Sequence, residues 1–126
     1  MIRTELSLRL PNSPGALAGI CRLLSHEHVN IAALSLESSG RLHLVVDNPV
    51  RAAGALTAQH HQISQHDVLF IAAGHQPGGL APTLALMADA GVNVNYAYGA
   101  GDEGAATSVV VVGVDDVLRA SAAAGT

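Results

Sequence analysis

Lysine and tryptophan are absent from this chain of 126 residues, aromatic side chains make up 2%, and cysteine occurs once. Six arginines carry the fixed positive charge, singly at positions 3, 9, 22, 41, 51 and 119, and the net charge is −4. No basic stripe exists to hold a phosphate backbone, which argues against a nucleic-acid partner. The lone Cys21 excludes an internal disulfide, and its place on a helical apolar stripe predicts a packed thiol rather than a reactive one. No apolar run approaches the ~18 residues of a membrane span, and Met1-Ile2-Arg3-Thr4-Glu5 has no signal-peptide core. A cytoplasmic protein that does not engage a membrane is the expectation. With 49% hydrophobic and 13% charged residues, the composition is that of a folded globule.

What the chain does have is a repeat. Pro14-Gly15-Ala16-Leu17-Ala18 leads to Val29-Asn30-Ile31, and Pro77-Gly78-Gly79-Leu80-Ala81 leads at the same spacing to Val92-Asn93-Val94. From position 14 to position 77 the shift is 63, half of the 126 residues. An internal duplication of this kind outranks any local motif in setting architecture. It divides the chain into units 1–66 and 67–126, each near the size at which one core barely suffices.

Within the first unit, Leu6, Leu8 and Leu10 alternate along a strand over residues 4–10. Ser13 and Pro14 then read as the cap and first residue of a helix whose buried face carries Leu17, Ile20, Cys21 and Leu24. Strands over residues 30–38 and 42–46 follow, and Asp47-Asn48-Pro49 opens a second helix that turns Val50, Ala53 and Leu56 inward. Residues 62–73 are long enough to close the first unit and open the second as one strand. In the second unit, Pro82 stands where the first has Gly19. A proline inside a helix costs about 3 kcal/mol, so this helix is predicted to start late, near Gly79 or Leu80, and to stop at Gly91. Strands over 94–98 and 108–114 and a short helix capped by Asp115-Asp116 complete the unit, with no residues left for a last strand.

The chemistry centres on the two Pro-Gly turns. Neither first helical turn carries an acid, so exposed N–H groups and the positive end of the helix dipole are available to an external anion. Asn12 and Asn30 both donate and accept hydrogen bonds, as an α-amino group and a carboxylate require. A plain cap with turn residues accounts for the same pattern. Tyr96 and Tyr98 share one strand face and suit either a pocket wall or an interface. His60, His61 and His66 lack the companions and spacing of a metal site, so no metal or cofactor is expected. No catalytic triad or phosphate loop can be assembled.

Asn12-Ser13-Pro14-Gly15-Ala16-Leu17 with Val29-Asn30-Ile31, and His75-Gln76-Pro77-Gly78-Gly79-Leu80 with Gly91-Val92-Asn93-Val94, resemble the N-x-P-G-x-L … G-V-N-I signature of the ACT domain. The pattern is similar to free-standing tandem ACT proteins without a catalytic domain. The resemblance implies two α+β, ferredoxin-like βαββαβ units with antiparallel sheets of order 4-1-3-2, helices on one face, and a second unit lacking its last strand. It also implies a regulatory role, with an amino acid or related metabolite held between adjacent units, the loop after strand one of one unit meeting the start of strand two of its neighbour. The residues so implicated are Asn12, Ser13, Gly15, Ala16, Leu17, Asn30 and Ile31 in the first copy. In the second they are His75, Gly78, Gly79, Asn93 and Val94, with His75 departing from the usual Asn or Asp, and Tyr96 is added as a candidate from its place on the strand beside Asn93. The first copy's loop, facing Asn93, is the favoured site.

A non-enzymatic amino-acid sensor, assembled as a homodimer, is the first functional expectation. The alternative is a regulatory subunit of an amino-acid biosynthetic enzyme that acts mainly through protein contacts. Acylphosphatase chemistry, known on similar folds, needs an arginine in the phosphate-cradling loop, and residues 15–18 offer none.

Overall fold

The computed structural model describes all 126 residues. In chain order the elements are β1 (Ile2–Arg9), α1 (Ala16–His26), β2 (Ile31–Leu36), β3 (Arg41–Val46), α2 (Pro49–Ala58), β4 (Ile63–Gly74), α3 (Ala81–Asp89), β5 (Val94–Ala100), β6 (Thr107–Val114) and α4 (Val117–Ala124). The fold is α+β, with the antiparallel pairing of two ferredoxin-like units. Contacts divide the chain into Thr4–His66 and a second unit made of Asp67–Thr126 together with Met1–Arg3.

In Thr4–His66 the strand order is β2-β3-β1-β4, the 4-1-3-2 order read from its other edge. Register pairs Leu6 with Leu44 and Leu8 with Leu42, so both strands turn their leucines to one face. That face closes on Ile20 and Leu24 of α1 and Ala52 and Leu56 of α2 to form the core. Cys21 is only partly covered. Two details differ from the sequence expectation. Helix α1 begins at Ala16, because Gly15 takes the N-cap position in a left-handed conformation (φ +84°) and Ser13 makes no side-chain cap. Val50 is 83% exposed and Ala52 is buried in its place. With Leu56 fixed inward at ~100° per residue, Ala52 shares its face whereas Val50 falls about 120° away.

The second unit has order β4-β6-β5, with Leu69 opposite Val112 and Tyr96 opposite Gly113. No strand follows α4, as expected, and the vacant place beside β4 is filled by the chain's own first residues. The Phe70 amide donates to the Met1 carbonyl at 2.8 Å, Arg3 lies over the Phe70 ring at 4.8 Å, and Ile2 packs on the core. Leu69, Ile71, Met87, Val112 and Ala120 make that core, a smaller set than in Thr4–His66. Helix α3 starts at Ala81 and carries Pro82 in its first turn, where a missing N–H leaves no bond unmade. Gly91, at φ +75°, follows its end. No helix is long and apolar enough to cross a membrane.

Candidate functional site

The loop from β1 to α1 is built so that a helix starts without a cap. Leu10 donates its amide to the Gly40 carbonyl at 2.8 Å, and Pro11 then offers no donor of its own. Ser13 donates to the Pro11 carbonyl at 2.9 Å and Ala16 to the Ser13 carbonyl at 3.3 Å, which curls the segment tightly. Gly15 supplies the positive φ that swings the chain into α1. No acidic side chain lies in the first turn, and the Leu17 and Ala18 amides have no backbone partner. The other helix of this unit is finished differently: Asn48 Oδ1 accepts from the Arg51 amide at 3.1 Å at the start of α2.

The uncapped end opens onto a cleft of about 330 Å³. Asn12, Ser13, Gly15, Ala16 and Leu17 line it together with Leu10, Pro11 and Ala18, and Leu36, Glu37, Ser38 and Gly40 form the opposite wall. The helix-end amides thus open onto a small cleft with Leu17 and Leu36 as apolar lining, and Glu37 on its far wall has Oε1 3.7 Å from His43 Nε2 and Oε2 3.4 Å from Ser39 Oγ. Arg9 Nη1 donates to the Ser39 carbonyl at 2.9 Å and ties the far wall to β1. Glu37, Leu36 and Ser38 were missed by sequence reasoning. They lie at the far end of β2 and in the turn after it, so the fold alone brings them to the loop.

A second cleft, also about 330 Å³, occupies the corresponding place in the other unit. His75 and Leu80 stand where the first has Asn12 and Leu17, and Gly99, Ala100 and Gly101 stand where it has Leu36, Glu37 and Ser38. Helix α3 also lacks a side-chain cap, in contrast to α4, where Asp116 Oδ1 accepts from the Arg119 amide at 3.0 Å. Tyr98 lines this cleft, and Tyr96 stacks on it at 6.5 Å between ring centroids while lying against Gly113. Gly78 and Gly79 stay in the preceding turn, where the Gly79 amide donates to the Gln76 carbonyl at 3.0 Å.

Asn30 is not brought to the first cleft. Leu36 lies six positions further along the strand, about 20 Å at ~3.3 Å per residue. The Asn30 amide instead donates to Asp47 Oδ1 at 2.9 Å, while neighbouring Ile31 packs on the core. Asn93 and Val94 are exposed at the start of β5, and Asn93 Nδ2 donates to Asn95 Oδ1 at 3.4 Å. His66 meets Glu5 and His43 rather than His60 and His61.

A helix start with open amides facing a small cleft is an arrangement suited to an anionic group. Residues 4–55, within the unit Thr4–His66, match the model of the ACT domain family. No curated protein matches the chain in sequence. Among solved structures, the chain is similar to a protein from Bacteroides thetaiotaomicron, at 27% identity and a TM-score of 0.89, over 98% of this chain and 86% of that one. It is also similar in fold to the regulatory subunit of aspartate kinase from Thermus flavus, at 15% identity and TM-score 0.67, over 98% and 90% of the two chains. For the ligand-free regulatory subunit from Thermus thermophilus the values are 16%, 0.70, 99% and 92%.

Proposed function

We propose that this chain is a cytoplasmic regulatory protein, not an enzyme, that binds a free amino acid or a similar small zwitterion in the cleft of Thr4–His66. The reading rests on one observation: a helix start whose Leu17 and Ala18 amides lack backbone partners opens onto a cleft whose far wall includes Glu37. The amides suit an α-carboxylate, Glu37 and Asn12 suit the α-ammonium, and Leu17 and Leu36 suit a side chain. Asn30 and Asn93 lie at strand starts away from the clefts, and we assign them to closing the clefts of a second copy in a homodimer. An amino acid of about ten non-hydrogen atoms gains roughly 5–8 kcal/mol on binding, which corresponds to micromolar to millimolar affinity.

A second reading, a subunit that regulates an enzyme through contact, is favoured by the extent of the structural match. The chain spans 90% or more of two aspartate kinase regulatory subunits but 31% of a whole aspartate kinase. Calorimetric titration with each common amino acid tests the first reading. Saturable binding of one or a few is expected; no heat from any of them, in a sample folded by circular dichroism, would overturn it. Feedback inhibition appearing only when a catalytic chain is mixed in would favour the second.

A further inference from the structure

Leucines 6 and 8 turn to the helix side of the sheet in Thr4–His66, so Glu5 and Ser7 turn to the other. On β3, His43 pairs with Ser7 and is the diagonal neighbour of Glu5, whose direct partner is Val45. On the opposite side of β1, β4 contributes His66. Three adjacent strands therefore deliver three ligating side chains to one point. His66 Nε2 lies 2.7 Å and His43 Nδ1 2.9 Å from the same oxygen, Glu5 Oε1, and all three ligand atoms fall within 4.8 Å of one another.

Glu5 is 0% exposed. A carboxylate so buried costs several kcal/mol unless positive charge or strong hydrogen bonds compensate it. Here two imidazoles converge on one of its oxygens, and a cation between them would supply that compensation directly.

We propose that Glu5, His43 and His66 bind a divalent transition-metal ion of the zinc type. Two imidazole nitrogens and a carboxylate are a borderline-soft donor set suited to zinc, with a fourth position left for water. Bonds of ~2.0–2.1 Å in a tetrahedral arrangement hold ligand atoms about 3.3 Å apart, so each nitrogen must retreat from Oε1 by roughly half an ångström. His66, 42% exposed on its side chain, has the freedom to do so and leaves a path for the ion. The other nitrogen of His43, Nε2, lies 3.7 Å from Glu37 Oε1, so a small approach of that carboxylate would let it orient the metal-bound imidazole. Glu37 also lines the cleft. The metal site does not depend on an amino acid binding there.

Tag-free protein, stripped with a chelator and dialysed, is titrated calorimetrically with zinc chloride. One zinc per chain is expected, and His66→Gln should weaken binding by more than about tenfold. A His60→Gln/His61→Gln double variant should bind as the parent does. Absence of saturable zinc uptake would overturn the proposal, as would uptake that survives His66→Gln. His43→Gln is a second ligand variant, expected to lose binding while far-UV circular dichroism stays unchanged; if it unfolds, the half-exposed His66 still decides the matter.

Discussion

The two units place the same loop, the same uncapped helix start and a cleft of equal size at positions 63 residues apart, yet line those clefts with opposite chemistry. Asn12 and Glu37 in the first become His75 and Ala100 in the second. An acid that could neutralise an ammonium group is thus present in one cleft and missing from its counterpart. The first also reaches its helix through Gly15 with Gly19 on the first turn, whereas the second carries Pro82 there. Duplication has preserved the frame, and the chemistry has diverged within it. The lesson is that the repeat locates two candidate sites but does not make them equivalent.

The largest expected effect comes from the wall of the first cleft. Gly40 has φ +93°, and a Cβ there would stand 2.4 Å from the Leu10 carbonyl oxygen. Gly40→Ala should cost about 3 kcal/mol of stability, whereas Glu103→Ala at the matching position should stay within about 0.5 kcal/mol. Paired urea denaturations compare them, and equal stabilities would mean that the two walls are built alike. Next, Glu37→Ala removes a charge-assisted contact worth roughly 1.5–3 kcal/mol, so amino-acid affinity should fall about ten- to a hundredfold by calorimetry. The reverse experiment sharpens the contrast: His75→Asn with Ala100→Glu should raise stoichiometry from one ligand to two per chain. If it stays at one, the difference between the clefts lies elsewhere. The smallest effect separates capped from uncapped helices. Asn48→Ala and Asp116→Ala should each lower stability by ~1 kcal/mol, and Ser13→Ala by almost nothing, in thermal melts.

Much of this frame was legible in the sequence because it depends on local pattern. Alternating leucines marked β1, Asn48-Pro49 and Asp116 marked the starts of α2 and α4, and Pro82 announced a late α3. Ser13 misled because a cap depends on backbone geometry, and Gly15 takes that position instead. Val50 misled because a short helix leaves its phase open until Leu56 is fixed in the core. The first wall of the cleft followed from one stretch of sequence. Its second wall, and the meeting of Glu5 with His43 and His66, depend on strand order and register between residues tens of positions apart, which one sequence does not display. The fourth strand of the second unit was hidden for the same reason, since Met1–Arg3 lies far from Phe70 in the chain.

The most direct test of the central claim is a backbone-amide NMR titration of isotope-labelled protein with the amino acid that calorimetry selects. The account predicts saturable shifts concentrated at residues 12–18 and 36–40, with the Leu17 and Ala18 amides moving as a carboxylate engages them. Shifts that bypass those amides, or that gather instead around His75 and Tyr98, would contradict it.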